Sequence, residues 1–118
     1  MKPDRELLEL AAKAAGYFIK WGSYIVCDDP VDCRDIPYVK THQYDEAEWY
    51  WNPLEDDGDA LRLAVRLGLD IITRRVNGGA YAGTPNHSAD AYAEADDPYA
   101  ATRRAIVRAA AAIGKDMK

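Results

Sequence analysis

Fifteen residues in the middle of the chain limit its fold more than any other segment. Trp51-Asn52-Pro53-Leu54-Glu55-Asp56-Asp57-Gly58-Asp59-Ala60-Leu61 runs straight into Leu63-Ala64-Val65. A large aromatic anchor, a rigid turn, acids suited to the positive end of a helix dipole and an amphipathic run follow one another. The spacing predicts a helix starting near Asp57 or Gly58 and stopping at Gly68. Ala60, Leu61, Ala64, Val65 and Leu67 cover a wide apolar arc with Leu63 outside it, while Arg62 and Arg66 share a solvent face. So broad an arc suits a helix packed between neighbours. Trp51 and Pro53 are read as structural, with Trp51 packing on the helix it precedes, and Asp57 as part of the capped helix start.

Two more helices flank this unit. Residues 4 to 15 carry Leu7, Leu10, Ala11 and Ala14 on one stripe, with Asp4 as cap, Glu9 and Lys13 as an i,i+4 pair and Gly16 as the stop. The last helix begins after Asp96 or Asp97 with Pro98 in its first turn, and Gly114 ends it. Tyr99, Thr102, Ile106, Ala110 and Ile113 form its stripe, and Arg104 and Arg108 point away. Arg103 falls about 40° from Tyr99, inside the apolar arc.

Between the helices the composition turns to β-branched and aromatic residues. Tyr17 to Val26 reads as a strand, with a break at Gly22-Ser23. Cys27 to Pro37, with four aspartates and two prolines, reads as an exposed loop. Tyr38 to Trp51 is ambiguous, but an extended end would put Trp49 and Trp51 on one face. Leu69 to Val76 is a strand, Asn77-Gly78 a type I′ hairpin turn and Ala80 to Thr84 the antiparallel return. Pro85 to Asp97, small and polar, reads as a loop with room for a short irregular strand. The order implies one α+β domain over residues 1–118, an antiparallel sheet with three helices packed on it in a sandwich-like α/β/α arrangement.

Charge narrows the function classes. A formal net charge of −5 argues against a nucleic-acid surface, because phosphate contacts need clustered cations. From Asp28 to Asp59 there are eleven acids against two bases, Arg34 and Lys40, whereas the segment from Pro98 onward has five bases and one acid. Such asymmetry reflects solvated faces and helix-end complementarity, or a surface for a basic partner. No apolar run approaches the roughly 20 residues needed to span a bilayer. The acidic start, Met1-Lys2-Pro3-Asp4-Arg5-Glu6, is unlike a signal peptide, so the expected setting is the cytoplasm, with no membrane partner. There Cys27 and Cys33 are read as free thiols over a disulfide. As metal ligands they would need His42 and His87 as partners.

Several parts of this sequence resemble small tailed-phage and prophage proteins of the phage ABA sandwich domain family, and more distantly NinX-type proteins. They are Asp4-Arg5-Glu6-Leu7-Leu8-Glu9-Leu10-Ala11-Ala12-Lys13-Ala14-Ala15-Gly16, Trp51-Asn52-Pro53-Leu54 with Asp57 to Leu67, and Asp97-Pro98-Tyr99-Ala100-Ala101-Thr102-Arg103-Arg104 on to Ala110. The likeness spans nearly the whole chain and is weakest between Cys27 and Glu48. It implies a phage-encoded accessory protein acting in the host bacterial cytoplasm, with a layered α/β/α fold. It carries over no catalytic residue.

The candidate ligand-binding residues are Tyr44, Tyr50, Arg74, Tyr99 and Arg103. Flat aromatics stack on bases, and an arginine offers a planar fork to phosphate or carboxylate. Each has a plainer role: the aromatics can be core, and Arg103 can extend its head to water past a buried stem. Asp56, Asp57 and Asp59 are read as capping residues, not a metal site, and His42 and His87 as isolated. The chain offers no defensible nucleophile, base and orienting acid, so no catalytic residue, metal or cofactor is assigned. The leading expectation is a non-enzymatic protein that counters host defence by sequestering a nucleotide signal. The alternative is an inhibitor of a host protein through the acidic Asp28–Asp59 segment, with a small hydrolase third. Leu63, outside the main stripe, points to a homo-oligomer.

Overall fold

The computed structural model describes residues 2–21, 37–40, 49–73 and 79–117. Their elements, in chain order, are α1 (Lys2–Ala15), β1 (Phe18–Trp21), β2 (Pro37–Lys40), β3 (Trp49–Tyr50), α2 (Asp57–Leu67), β4 (Asp70–Thr73), β5 (Gly79–Gly83), β6 (Ala91–Glu94) and α3 (Pro98–Asp116). The architecture is α+β, as the element order implies. The strands form two three-stranded antiparallel meanders, ordered β1-β2-β3 and β4-β5-β6. No helix among the described residues is long and apolar enough to cross a membrane.

Local signals place the ends of α2 and the start of α3. Asp56 caps α2, its carboxylate accepting from Asp59 N at 2.7 Å, and Gly68 closes it in a left-handed conformation at φ 67°. Asp97 caps α3 by accepting from Tyr99 N at 3.0 Å, with Pro98 in the first turn. Gly16, at φ 81°, follows the end of α1. The β4–β5 pairing closes a hairpin with Thr73 opposite Ala80, and Asn77-Gly78 lies outside the described residues. The Pro85 to Asp97 segment is more regular than its composition implies, since Ala91–Glu94 pairs in full register with β5.

Helix faces are where the structure departs from sequence periodicity. In α1 the buried face is Leu8, Ala11, Ala12 and Ala15, one position round from the expected Leu7, Leu10, Ala11 and Ala14. The cause is α3, the principal partner of α1. A Cβ at Gly114 would overlap the Leu10 carbonyl oxygen, so the backbones approach too closely for anything but small side chains. Gly114 is therefore a crossing point inside α3, which continues to Asp116, and not its end. Asp4 lies within the first turn of α1 and does not cap it, because the helix begins at Lys2. Glu9 accepts from Trp21 Nε1 at 3.0 Å, and Lys13 donates to the Met117 carbonyl at 2.9 Å, so neither serves the expected i,i+4 pair.

The arc of α2 is likewise rotated. Leu63 is 1% exposed and central to the core, whereas Leu61 and Val65 face solvent at 58% and 72%. One continuous core joins Leu8, Ala11 and Ala12 of α1, Leu63 and Ala64 of α2, and Ala105, Ile106 and Val107 of α3. Val39 and Trp51 enter it from the first meander, and Ala80, Ala82 and Ala93 from the second. Cys27 and Cys33 lie outside the described residues.

Candidate functional site

The turn before α2 is built around two buried polar residues. Asn52 and Asp59 are 8% and 6% exposed. Asp59 Oδ2 accepts from Asn52 N at 3.0 Å, while its Oδ1 takes Arg62 Nη2 at 2.8 Å. Asn52 Oδ1 accepts from Leu54 N, and its carbonyl accepts from Glu55 N and Asp56 N. Trp51 and Pro53 are buried beside it. Tyr17 meets both Trp49 and Trp51 edge-on with ring centroids 5.7 Å apart, which places the two tryptophans on one face as alternation requires.

Against this fixed turn, α2, β4 and α3 enclose an open groove of about 300 Å³. Its floor is Ala60, Ile71 and Ile106, its walls Leu61 and Thr73, and its mouth Tyr99 and Thr102. One end is closed by Arg103 Nη1 donating to Asp57 Oδ1 at 2.6 Å, with Arg103 Nε donating to the Leu54 carbonyl at 2.9 Å. The Arg103 side chain is 17% exposed, so its head stays inside the protein instead of reaching to water. Tyr99 is 67% exposed at the rim, with its backbone N–H held by the Asp97 cap.

The structure thus brings together three of the residues singled out from sequence: Tyr99, Arg103 and Asp57. Asp57 serves as the counter-ion of Arg103, while the cap is Asp56. Tyr50 lies on the first meander, edge-on to Tyr38 with centroids 6.3 Å apart. Partial desolvation, opposed by a hydrogen bond with Asn52 and reinforced by Glu55, Asp59 and Asp56, pushes its hydroxyl above the ordinary tyrosine range. Tyr44 and Arg74 lie outside the described residues.

A second cavity, of about 280 Å³, is lined by Leu54 and Asn52 together with Asp4, Arg5, Trp21 and Arg104. Arg104 lies off the apolar stripe, as helical spacing implies, and turns toward α1. It pairs with Asp4 through two hydrogen bonds of 3.0 and 3.3 Å. Those bonds hold the Asp4 carboxyl below its ordinary range against the opposing effect of burial. Arg5 lies over the Trp21 ring, 4.6 Å from its centroid.

A third cluster escapes any reading of His87 as isolated. Asp90 takes His87 Nδ1 at 3.0 Å on one oxygen and the Tyr81 hydroxyl at 2.8 Å on the other. The Asp90 bond and the Asp90 and Asp70 charges push the Tyr81 hydroxyl up. The loop between is closed by Thr84 Oγ1, which accepts from Ser88 N and Ala89 N. An i,i+3 spacing of histidine and aspartate was visible in the sequence, but the tyrosine arrives only through the β5–β6 pairing.

Compared with family models, curated proteins and solved structures, the chain matches none.

Proposed function

We propose that the protein acts by binding, and that the groove between α2, β4 and α3 takes a flat, weakly charged group such as a nucleobase stacked on Tyr99. The observation that carries this reading is an aromatic ring two-thirds exposed at the rim of an apolar groove. Arg103 is already neutralised by Asp57, so the groove suits the base of a nucleotide better than its phosphates, which would project to solvent. On the resemblance to phage proteins, the ligand is a nucleotide signal of host defence and its sequestration the activity. Calorimetric titration against cyclic nucleotides and adenosine-diphosphate-ribose derivatives tests this. Tyr99→Ala is expected to weaken binding tenfold or more, on the scale of about 1–3 kcal/mol per stacked base, with little change in stability. No heat across the panel would remove the nucleotide reading.

One observation favours a second reading, a protein partner. Leu61 and Val65 form an exposed apolar ridge on α2 beside the groove. Leu63 is core, so a homo-oligomer would use this ridge and not Leu63. If the ridge joins two copies, Leu61→Glu with Val65→Lys will leave only the monomer mass in light scattering. An unchanged mass would reject the ridge. The host-inhibitor alternative retains Glu55, Asp56 and Asp57 as exposed acids, whereas Asp59 is buried.

A further inference from the structure

One wall of the groove is a sheet edge. β4 is an outer strand of the second meander, and Ile71 and Thr73 line the groove from it. Along a strand, successive residues turn their N–H and C=O to opposite sides. The Tyr92 carbonyl accepts from Arg108 Nη1 at 3.2 Å, so it faces out of the β5–β6 ladder, and its register partner Tyr81 turns to β4. There Tyr81 meets Ile72, which leaves Ile71 and Thr73 with their backbone groups directed out of the sheet. Among the described residues, no backbone bond outside the ladders involves either of them.

A polar edge beside an apolar floor suits a nucleobase, which is apolar on its faces and polar at its rim. In chain order the outward groups alternate: Ile71 N–H, Ile71 C=O, Thr73 N–H, Thr73 C=O. Adenine presents an amino donor beside a ring-nitrogen acceptor, which match Ile71 C=O and Thr73 N–H. Guanine carries two donors side by side and cytosine two acceptors, so each sets like against like along this wall. Uracil alternates as well, but its single ring covers less of Tyr99. An added peptide strand is a poorer fit, because only two residues of β4 face outward.

We propose that β4 reads the edge of the base and that the bound group is adenine. Its amino group donates to the Ile71 carbonyl, and the adjacent ring nitrogen accepts from the Thr73 N–H. This selectivity rests on the nucleobase reading of the groove and adds to it: stacking on Tyr99 holds any flat base, whereas the edge sorts them.

The test is titration of the intact protein with three nucleotides: adenosine monophosphate, guanosine monophosphate, and an adenosine monophosphate doubly methylated on its amino group, which has no N–H to donate. The first is expected to bind about tenfold more tightly than the other two. Tyr99→Ala should weaken all three. Thr73→Pro removes the outward N–H and spares the ladder, since proline is accepted on an edge strand. It should lower the affinity for adenosine monophosphate about tenfold and leave the melting temperature close to that of wild type. Equal affinities for the three nucleotides, or a folded Thr73→Pro protein that binds adenosine monophosphate like wild type, would overturn edge reading and leave the groove reading standing. No binding of any of the three would overturn both. Should Thr73→Pro fail to fold, the three nucleotides on wild type decide it.

Discussion

Arg103 and Arg104 are consecutive residues of α3, yet their guanidinium groups sit in different cavities flanking the Asn52–Glu55 turn. The helix rotates about 100° per residue, so Arg103 reaches the Leu54 carbonyl and Asp57 while Arg104 reaches Asp4. The two surroundings differ in kind. Around Arg104 the charges are matched and polar groups share the lining, with Asp4 on Arg104 and Arg5 on Trp21. Around Arg103 one ion pair closes the end of a groove whose floor is apolar. The first arrangement ties α1 to α3, and the second leaves a surface with unmet demand for apolar contact. A matched charge is a fastener; an apolar hollow beside an exposed ring is a receptor.

Removing the buried acid behind the turn should break the comparison most severely, because both cavities depend on it. Asp59→Ala leaves the buried Asn52 N–H without its acceptor and is expected to cost about 2–3 kcal/mol in urea denaturation. Asp59→Asn, which keeps an accepting oxygen, should recover most of that loss. An equal loss in both variants would place the role of Asp59 in its charge instead.

Exchanging each arginine for lysine should sharpen the contrast. Arg103→Lys gives up a two-pronged hold on Leu54 and Asp57 at 17% exposure and should cost about 1–1.5 kcal/mol. Arg104→Lys, at 34% exposure beside a 40% exposed Asp4, should cost about 0.5 kcal/mol. A reversed order in the denaturation midpoints would show that the Arg104 side is the structural one.

The smallest effect is acid-dependent. The Asp4 carboxyl is lowered in the folded protein by its bond to Arg104, so its contribution is present above the unfolded value and lost as pH falls through the folded one. Screening limits that contribution to less than about 1 kcal/mol. Wild type should therefore exceed Asp4→Asn slightly in stability at neutral pH, and the gap should close well below about pH 4. A gap that persists in strong acid would mean Asp4 acts through packing.

Much of this architecture can be read residue by residue. The α2 start, its stop at Gly68 and the Asp97-Pro98 opening of α3 all follow from interactions within a few residues. Tyr99 and Arg103 could be paired from the sequence, because helical spacing places Arg103 near Tyr99, whereas Asp57 reads only as part of a capped helix start. The arrangement of the three was not legible, since Arg103 bonds residues 49 and 46 positions away. Asp4 and Arg104 are 100 positions apart and carry no sequence signal of their pairing. The Tyr81 bond to Asp90 depends on the β5–β6 register, which no local signal announces.

The caps at Asp56, Gly68 and Asp97 were written into the chain itself, because an aspartate before a helix or a glycine after it acts on backbone groups within about one turn. Which side of each helix turned inward was settled only when the elements met. Leu61, Leu63 and Val65 have similar hydrophobicity, and proximity to α3 buried the one and left the others in water. Burial is a property of neighbours, and neighbours distant in sequence leave no mark in local periodicity.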